Sequence, residues 1–274
     1  MSMAQFVIEP QALIAGVECV VFDCRFILGD PDAGEGLYRQ GHVPGAHYLN
    51  LERDLSGNVA QHGGRHPLPD PATFAARLAR AGVTRETAVV AYDDSRQAFA
   101  CRLWWLMRAA GYRPPRLLNG GYQAYLQAGG EVVTLESVAV AAPVEQISGF
   151  AQSCDIAGVR TAQGYGALLI DSREPARYCG EEEPIDPVAG HIPGARNRPW
   201  QAVTDDCGRL LDLDHQRAHW GDMLDAENLL VYCGSGVTAC VNLFSLAVLG
   251  RHDALLYAGS WSDWCSYLSD AGSP

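Results

Sequence analysis

The chain has 274 residues, of which 48% are hydrophobic and 19% are charged, as expected of a soluble globular protein with one large or two ordinary domains. Its formal net charge of −12 argues against nucleic acid and anionic membranes as partners, because either would need a concentrated basic surface. The N-terminal residues lack a secretory pattern and no stretch approaches the roughly 20 apolar residues of a membrane span, so we predict a cytoplasmic protein.

The nine cysteines are scattered along the chain and odd in number, which does not favour a disulfide framework. They include no CxxC pair and no cysteine and histidine cluster at zinc-ligand spacing. We therefore predict no structural metal, and most of these cysteines are predicted to be small buried side chains.

An internal repeat organises the chain. In each half a short apolar strand ends in an aspartate and an arginine, and a turn of the form GHxPGA follows. The two copies are Asp23 and Arg25 with GHVPGA at 41–46, and Asp171 and Arg173 with GHIPGA at 190–195. We predict that each aspartate and arginine form an ion pair that holds the strand end to a neighbouring loop, and that the histidines of the turns are structural. The repeat indicates a duplicated domain.

The other predicted elements recur in the same order. Strand 88–92 corresponds to 229–232, a helix follows each, and a further short strand and a glycine-led helix come next. In the first half Asp70 and Pro71 make a good helix start and Gly82 a helix stop. Because strands alternate with helices, we predict an α/β fold of tandem domains, each a small doubly wound parallel sheet with helices on both faces.

A region of lower regularity separates the two copies. Residues 136–153 contain Pro143 and no strong hydrophobic period, which is typical of a linker. The predicted organisation is a first domain at 1–135, this linker, and a second domain at 154–274.

The stretch LLVYCGSGVTAC at 229–240 combines a buried strand, a tight loop and the start of a helix. Cys233 stands at the carboxyl end of the strand, where ligands bind in open α/β sheets. Gly234 and Gly236 allow successive N–H groups to converge, and the helix that follows adds its positive end. Both features favour a thiolate, so we predict that Cys233 is a nucleophile.

The matching position of the first half holds Asp93, in AYDDSR. A carboxylate accepts hydrogen bonds from a helix end, but it cannot carry sulfur. Domain 1–135 is therefore predicted to be a non-catalytic copy, and domain 154–274 the catalytic one. Cys240 lies on the apolar face of the helix and is predicted to be a core residue.

Two other function classes fit the same local pattern. Cysteine-based phosphatases and arsenate reductases also hold a thiolate between a strand and a helix, but their loop needs an arginine at the sixth position after the cysteine. Here that residue is Ala239, which would leave a phosphoryl dianion without its cation. This class, and a binding module that uses the fold without turnover, are kept as less favoured alternatives.

The repeated strand ends, the two GHxPGA turns, the GSW segment and CGSGVTA resemble the two-domain rhodanese family of sulfurtransferases over nearly the whole chain. Within this family the neutral loop CGSGVT is similar to that of 3-mercaptopyruvate sulfurtransferases, whereas thiosulfate sulfurtransferases usually carry basic residues there. The resemblance implies that the sulfur donor is 3-mercaptopyruvate, with a thiosulfate:cyanide sulfurtransferase as the alternative.

The resemblance also implies the chemistry. Cys233 attacks the sulfur of the donor, pyruvate is released, and the resulting persulfide passes its sulfur to a thiol, thioredoxin or cyanide. The resemblance implies that the charged sulfur is stabilised by hydrogen bonds from the loop amides of Gly234, Gly236, Val237 and Thr238. No metal or organic cofactor is required, and neither nucleic acid nor a membrane is an expected partner.

Arg177, in DSREPAR, matches an arginine that this family uses to hold the donor carboxylate, an anion that suits a guanidinium bidentately. The family's usual second arginine lies in a Glu-Pro-x-Arg segment before the GHIPGA turn, but Ile185 and Asp186 stand there. Either another residue such as Arg196 or Arg198 replaces it, or the donor differs.

The mercaptopyruvate enzymes also resemble serine hydrolases locally, with an acid, a histidine and the loop serine proposed to relay a proton. Ser235 and His66, in GRHPLP, match two of these positions. The acid is expected at Glu52, in LERDLSG, with Asp54 as the competing residue. The predicted catalytic residues are therefore Cys233, Ser235, His66 and Glu52.

Overall fold

A computed structural model describes residues 3–269, which form two five-stranded sheets with helices between the strands. The elements of the first sheet are β1 (Val7–Ile8), α1 (Pro10–Ile14), β2 (Val20–Asp23), α2 (Ala33–Gln40), β3 (Ala46–Tyr48), α3 (Pro71–Arg80), β4 (Val89–Tyr92), α4 (Ala98–Ala109), β5 (Arg116–Leu118) and α5 (Gly121–Gln127). Those of the second are β6 (Ser153–Cys154), α6 (Ile156–Gly164), β7 (Leu168–Asp171), α7 (Pro175–Cys179), β8 (Arg196–Asn197), α8 (Leu213–Trp220), β9 (Leu229–Tyr232), α9 (Ala239–Val248), β10 (Leu255–Tyr257) and α10 (Ser260–Ser269). Short 3₁₀ helices lie at Met3–Gln5, Trp200–Val203 and Gly221–Asp225.

The two sheets have the same topology. The strand order is β1-β5-β4-β2-β3 in the first and β6-β10-β9-β7-β8 in the second, and all strand pairs are parallel. The predicted α/β fold of tandem parallel sheets, and the internal repeat behind it, are confirmed. β4 and β9 are the middle strands, and every residue of both is buried.

The core of the second sheet holds β9 in place. Leu230 and Tyr232 pack with Leu169 and Tyr257 of neighbouring strands and with Trp261 of α10, and all five are at most 2% exposed. Full burial of a large apolar side chain contributes roughly 1.5–3 kcal/mol. The residue that follows β9 therefore starts from a firmly packed strand end.

The predicted ion pairs at the strand ends are confirmed in both sheets. Each arginine donates to the aspartate two residues before it and to the carbonyl of the glycine that opens the GHxPGA turn. The bonds are Arg25 Nη2 to Asp23 Oδ2 (2.6 Å) and to Gly41 O (2.7 Å), and Arg173 Nη2 to Asp171 Oδ2 (2.7 Å) and to Gly190 O (2.6 Å). The turn histidines are hydrogen-bonded to backbone carbonyls, His42 to Tyr38 and His191 to Tyr178.

The start of α3 follows its predicted chemistry. The Asp70 carboxylate accepts a hydrogen bond from the Thr73 N–H at 2.8 Å, and Pro71 occupies the first turn, where a missing N–H costs nothing. The helix ends at Arg80, and Gly82 adopts a left-handed backbone with φ of 80° just beyond it. The predicted helix start and stop are confirmed.

The chain divides into two compact units that are not contiguous in sequence. The first unit contains the chain up to Gly57, Pro69–Ala151 and Thr204–Leu210, and the second contains Asn58–Leu68, Gln152–Val203 and the chain from Leu211. The segment Asn58–Leu68 thus groups with the second sheet although its sequence neighbours build the first. This assignment matters for function because the segment includes His66.

The region between the sheets has no regular secondary structure. From residue 134 to 152 the chain contains neither helix nor strand, in the part of the sequence where a linker is predicted. Among the helices within residues 3–269, none is both long and apolar enough to cross a bilayer.

Candidate active site

Cys233 lies at the carboxyl end of the middle strand β9, at the start of a tight loop that leads into α9. Its residue is only 2% exposed. The Gly236 N–H donates to Cys233 Sγ at 3.2 Å, and the Cys233 N–H donates to Ser260 Oγ at 3.1 Å. The Gly236 amide therefore holds the thiol, and Ser260 at the start of α10 holds the backbone of the same residue.

Gly236 is the residue that allows this turn. Its φ of 78° lies in the left-handed region, and a Cβ atom placed there would be 2.2 Å from the Ala258 carbonyl oxygen. Any other residue would collide with the backbone that follows β10. The glycine is therefore required for the position of its own N–H beside the Cys233 sulfur.

The GSW segment, residues 259–261, and the serine after it support the loop through backbone hydrogen bonds. The backbone N–H of Trp261 donates to the Cys233 carbonyl at 3.0 Å, and the backbone N–H of Ser262 donates to the Gly234 carbonyl at 2.9 Å. Ser260 is fully buried, accepts from the Cys233 N–H, and donates to the Tyr257 carbonyl at 2.9 Å. This supporting role of Ser260 was not predicted, although the segment that contains it was recognised as part of the repeat.

Helix α9 begins at the loop and is buried along its whole length of ten residues. The first turn of α9 follows Val237 and Thr238, and the N-terminal end of an α-helix carries partial positive charge. The Cys240 thiol is fully buried and donates to the Gly236 carbonyl at 3.4 Å. The prediction that Cys240 is a core residue is confirmed.

His66 and Ser235 are in direct contact. His66 Nδ1 lies 2.8 Å from Ser235 Oγ, and both residues are buried, at 6% and 8% exposure. Because Ser235 is two residues from Cys233, this pair lies beside the predicted nucleophile. The structure therefore brings together two of the three residues predicted for a proton relay.

The acid of that relay belongs to the first unit. Glu52 is exposed, and its backbone N–H donates to the Asn50 side chain. The competing residue, Asp54, accepts from the Asn50 N–H and forms an ion pair with Arg77 at 2.9 Å. Asp54 thus has a structural role within the first unit, and the role of Glu52 stays a prediction.

The segment that carries His66 is held against α10. Gly64 has a φ of 80°, and a Cβ atom on it would be 2.4 Å from the Gly259 carbonyl oxygen, so the two backbones touch. The Arg65 N–H donates to Ser262 Oγ at 3.2 Å. The same serine supports the Cys233 loop, so the histidine segment and the loop share one anchor.

Two arginines approach the loop after Cys233 at Gly234. A Cβ atom placed on Gly234 would lie 3.1 Å from Arg65 Nη2 and 3.5 Å from Arg177 Nη1. Arg177, on α7, is the predicted donor-binding residue, and its place beside the loop agrees with that role. Arg65 was not predicted; the only signal in the sequence is that it directly precedes His66.

The two arginines considered as replacements in the sequence have partners elsewhere. Arg196 forms an exposed ion pair with Asp222 at 3.2 Å. Arg198 Nη1 donates to the Asn197 carbonyl at 2.9 Å, and burial with the nearby Arg196 lowers the pKa of Arg198. Arg65 is therefore the second guanidinium that the structure brings to Gly234.

Buried carboxylates balance the arginines of this region. Burial raises the pKa of Asp186 although the charge of Arg65 opposes the shift. Burial also acts to raise the pKa of Glu183, but the Asp186 N–H and Arg177 outweigh it, and the pKa of Glu183 is lowered. The charges of Arg65, Arg173 and Arg177 are matched by those of Asp171, Glu183 and Asp186. The arginine cluster is therefore close to neutral before any anion binds.

The corresponding position of the first sheet contains a carboxylate in an amide cradle. Four backbone N–H groups donate to Asp93, from Ser95 and Gln97 to Oδ1 and from Phe99 and Ala100 to Oδ2, at 2.8–3.0 Å. Burial raises the pKa of Asp93 to about 6, although these N–H groups act to lower it. The cradle of the first sheet is thus already filled by the protein's own side chain.

Known proteins are similar to this chain in sequence and fold. A family model described as the rhodanese-like domain matches residues 9–128 and 159–267. The probable 3-mercaptopyruvate sulfurtransferase of Pseudomonas aeruginosa is 42% identical over 272 residues, 96% of each chain. The putative thiosulfate sulfurtransferase of Mycobacterium tuberculosis is 41% identical over 266 residues, 92% of this chain and 89% of that one. The structure of 3-mercaptopyruvate sulfurtransferase from Leishmania major matches with a TM-score of 0.85 at 29% identity, over 97% of this chain and 76% of that one.

The two matches to the family model fall on the two copies of the internal repeat, and together they span most of the chain. The relatives match nearly from end to end, so the likeness is not limited to one copy. Both matches agree with the shared strand order of the two sheets. The chain therefore belongs to the rhodanese family, as a sulfurtransferase with two rhodanese-like domains.

Proposed function

We propose that this protein transfers sulfur from 3-mercaptopyruvate, through a persulfide on Cys233, to a thiol, thioredoxin or cyanide acceptor. The observation that carries the proposal is the position of Cys233 Sγ. This sulfur accepts a hydrogen bond from the Gly236 N–H shortly before α9 begins. The guanidinium groups of Arg65 and Arg177 face the neighbouring Gly234. A thiol, hydrogen-bond donors for a charged sulfur and cations for a carboxylate thus meet at one loop, which supports the proposal.

The proposed reaction balances in two steps. The Cys233 thiolate attacks the donor sulfur and the carbon–sulfur bond breaks, so the electron pair of that bond remains on carbon as the enolate of pyruvate. The enolate takes up a proton, and pyruvate leaves. In the second step the acceptor attacks the outer sulfur of the persulfide, and Cys233 leaves as a thiolate.

The proton taken up by the enolate is the proposed task of Ser235 and His66. Their hydrogen bond beside Cys233 supports a route for a proton between the reacting carbon and the imidazole. Glu52 is the acid that we propose to complete this relay. The roles of Ser235, His66 and Glu52 are tested by pyruvate release after Ser235→Ala, His66→Gln and Glu52→Gln, which we expect to slow the first step.

The Asp93 cradle supports the proposed persulfide geometry. A carboxylate oxygen is two bonds from Cβ, and so is the outer sulfur of a cysteine persulfide. Asp93 holds its oxygens with the N–H groups of residues two, four, six and seven positions later. By the repeat, Val237 and Ala239 correspond to two of these donors, and we propose that the outer sulfur on Cys233 occupies the equivalent place.

Asp93→Ala is expected to leave sulfur transfer intact and to destabilise the first domain by about 2–5 kcal/mol, because four buried N–H groups lose their acceptor. The pKa of Asp93 is about 6 in the folded protein against 3.8 ordinarily, and this difference fixes the direction in which folding stability changes with pH. The folded state holds this proton longer, so wild-type stability falls as the pH rises from about 4 to about 6, by roughly 3 kcal/mol from this group. The Asp93→Ala variant lacks this pH-dependent contribution to its stability.

Urea unfolding of wild type and Asp93→Ala at several pH values, with kcat/KM at neutral pH, measures both effects. The matched control is Asp94→Ala, which removes an exposed neighbouring carboxylate and leaves the cradle intact. Loss of sulfur transfer in a folded Asp93→Ala protein would show that the first domain takes part in the chemistry.

The choice of donor rests on charge. Relatives of nearly equal identity, 42% and 41%, are named for different donors, so identity alone does not select one. The residues after Cys233 are uncharged, and the cations nearby are partly neutralised by buried carboxylates. This arrangement favours a monocarboxylate over the thiosulfate dianion. Thiosulfate is the second candidate, because the Mycobacterium tuberculosis relative is named for it.

Parallel steady-state kinetics with 3-mercaptopyruvate and thiosulfate, each with cyanide as acceptor, test the donor. We expect the higher kcat/KM with 3-mercaptopyruvate, and a mass increase of one sulfur atom on Cys233 after donor alone. A higher kcat/KM with thiosulfate would replace the proposed donor. If neither donor added sulfur, a binding module without turnover would be the better description.

The phosphatase alternative has its own test. Hydrolysis of p-nitrophenyl phosphate that disappears in Cys233→Ser would restore it, but the absence of an arginine at Ala239 leads us to expect none. We also propose a cytoplasmic location, where thiols remain reduced; the nine cysteines all lie within residues 3–269, and none of them is in a disulfide there.

A further inference from the structure

Arg65 and Arg177 come from different parts of the sequence but face the same point of the catalytic loop. The position of a Cβ atom on Gly234 is 3.1 Å from Arg65 Nη2, and 3.5 and 3.6 Å from the two terminal nitrogens of Arg177. Gly234 has no side chain to fill this space. An anion held by both guanidinium groups would therefore lie next to Cys233.

A single buried carboxylate links the two arginines. Asp186 Oδ1 accepts from Arg65 Nη1, and Asp186 Oδ2 accepts from Arg177 Nη2 at 3.1 Å. Its side chain is 1% exposed, and Glu183 binds Arg177 from the same side at 2.6 Å. Carboxylates thus fix one edge of each guanidinium and set the spacing between them.

The other edge of each guanidinium faces the loop. Within residues 3–269, Arg65 Nη2 and Arg177 Nη1 donate to no protein acceptor, whereas Arg65 Nη1 donates to Asp186, Arg177 Nε donates to Glu183, and Arg177 Nη2 donates to both carboxylates. The Arg65 side chain is 33% exposed, so solvent or a ligand can reach it. Two N–H edges that converge without an acceptor suit a planar carboxylate.

We propose that Arg65 and Arg177 together bind the carboxylate of the sulfur donor, and that Asp186 is the positioning residue that holds the two guanidinium groups at the required spacing. This inference rests on the proposed function. Asp186 occupies the place where the resembled mercaptopyruvate enzymes carry their second arginine. An acid at this position recruits an arginine from the His66 segment instead, so the cation is kept although its place in the sequence has changed.

The same exchange affects donor preference. An arginine at position 186 would add one positive charge to the donor site. Here the positive charge of Arg65 is offset by the negative charge of Asp186, so the net charge of the site does not change. A dianion gains about twice as much as a monoanion from each added positive charge. The bridged pair therefore favours a monocarboxylate with a thiol over thiosulfate.

Arg65→Met tests the binding role, because methionine keeps much of the length and removes the charge. We expect KM for 3-mercaptopyruvate to rise about 10- to 100-fold, with kcat changed less than about threefold, as when a charged hydrogen bond that is equal in ground and transition states is lost. The rate at which cyanide removes sulfur from a preformed persulfide is expected to stay unchanged. The matched control is Arg217→Met, which removes an exposed arginine of α8 and should leave KM unchanged.

Asp186→Asn tests the positioning role through a double-mutant cycle. We expect KM to rise in the single variant, and to rise much less when Asp186→Asn is added to Arg65→Met, because the residue acts largely through Arg65. Arg65→Lys, which keeps the charge but not the paired N–H edge, should fall between wild type and Arg65→Met. If Arg65→Met does not fold, the Arg65→Lys result decides the binding role.

Two outcomes overturn the inference: an unchanged donor KM in folded Arg65→Met or Arg65→Lys, or additive effects of Arg65→Met and Asp186→Asn. Both outcomes require that the wild-type protein uses 3-mercaptopyruvate, and sulfur gain by the wild-type protein tests that separately. If wild type gains no sulfur from 3-mercaptopyruvate, the proposed donor is wrong. If it gains sulfur and the Arg65 variants bind the donor normally, only the assignment of Arg65 is wrong.

Discussion

Replacing Cys233 by serine is expected to abolish persulfide formation and to lower sulfur transfer by more than roughly a thousandfold. The serine hydroxyl can accept the hydrogen bond that Gly236 donates to the thiol at 3.2 Å, so the loop should keep its shape. However, oxygen in this place forms no stable bond to the transferred sulfur. Intact-mass measurement after incubation with 3-mercaptopyruvate, together with pyruvate release, checks both steps.

Cys240→Ser is the matched control, because it changes the other buried cysteine of the same region. A serine hydroxyl can replace the Cys240 thiol as donor to the Gly236 carbonyl. We expect this variant to gain one sulfur atom per chain and to retain activity within about threefold. If folded Cys233→Ser still carried sulfur, or if folded Cys240→Ser did not, the assignment of Cys233 as the nucleophile would be wrong.

The fold was predictable because its signals are local and occur twice. The aspartate and arginine at each strand end, the GHxPGA turns and the alternation of strands with helices recur in the same order, and the two sheets share one strand order. A single copy of a short motif is weak support for a fold. Two copies in matching order exclude most alternative topologies, because each predicted element must have a counterpart at the same place in the other copy.

The composition of the candidate site was only partly predictable. Cys233, Gly234 and Gly236 follow directly from a strand, loop and helix pattern. Arg65 does not, because Asn58–Leu68 has no hydrophobic period, and the resemblance that links the segment to the second sheet concerns His66 and not Arg65. Its contribution depends on tertiary contacts, above all the close approach of Gly64 to Gly259.

Asp186 was misleading in the sequence for a related reason. An acid where the resembled family has an arginine suggests a lost anion site if each residue is considered separately. In the structure the acid is buried and paired with two arginines, one of which lies more than a hundred positions earlier in the chain. Sequence patterns report which residues are present, whereas the net charge of a site depends on which of them meet.

Gly236→Ala is expected to reduce the rate of persulfide formation at least about 100-fold, comparable to the loss of one preorganised donor at an oxyanion site. The added Cβ would lie 2.2 Å from the Ala258 carbonyl oxygen, a distance that real atoms do not tolerate. The loop must therefore move, and the Gly236 N–H moves with it away from Cys233 Sγ. Rapid-mixing measurement of pyruvate release, followed by mass analysis of the enzyme, gives the rate of this step.

Gly194→Ala separates the collision from backbone strain. Gly194 has a φ of 82°, close to the 78° of Gly236, but no atom lies within 4 Å of its Cβ position. Both alanines carry the strain of a left-handed backbone, roughly 1 kcal/mol, and only the one at 236 meets another backbone. We therefore expect Gly194→Ala to lose a little stability and to keep its activity. If both variants lost activity alike, strain and not the position of the Gly236 N–H would account for the effect; if Gly236→Ala remained fully active, this N–H would not be needed to stabilise the sulfur.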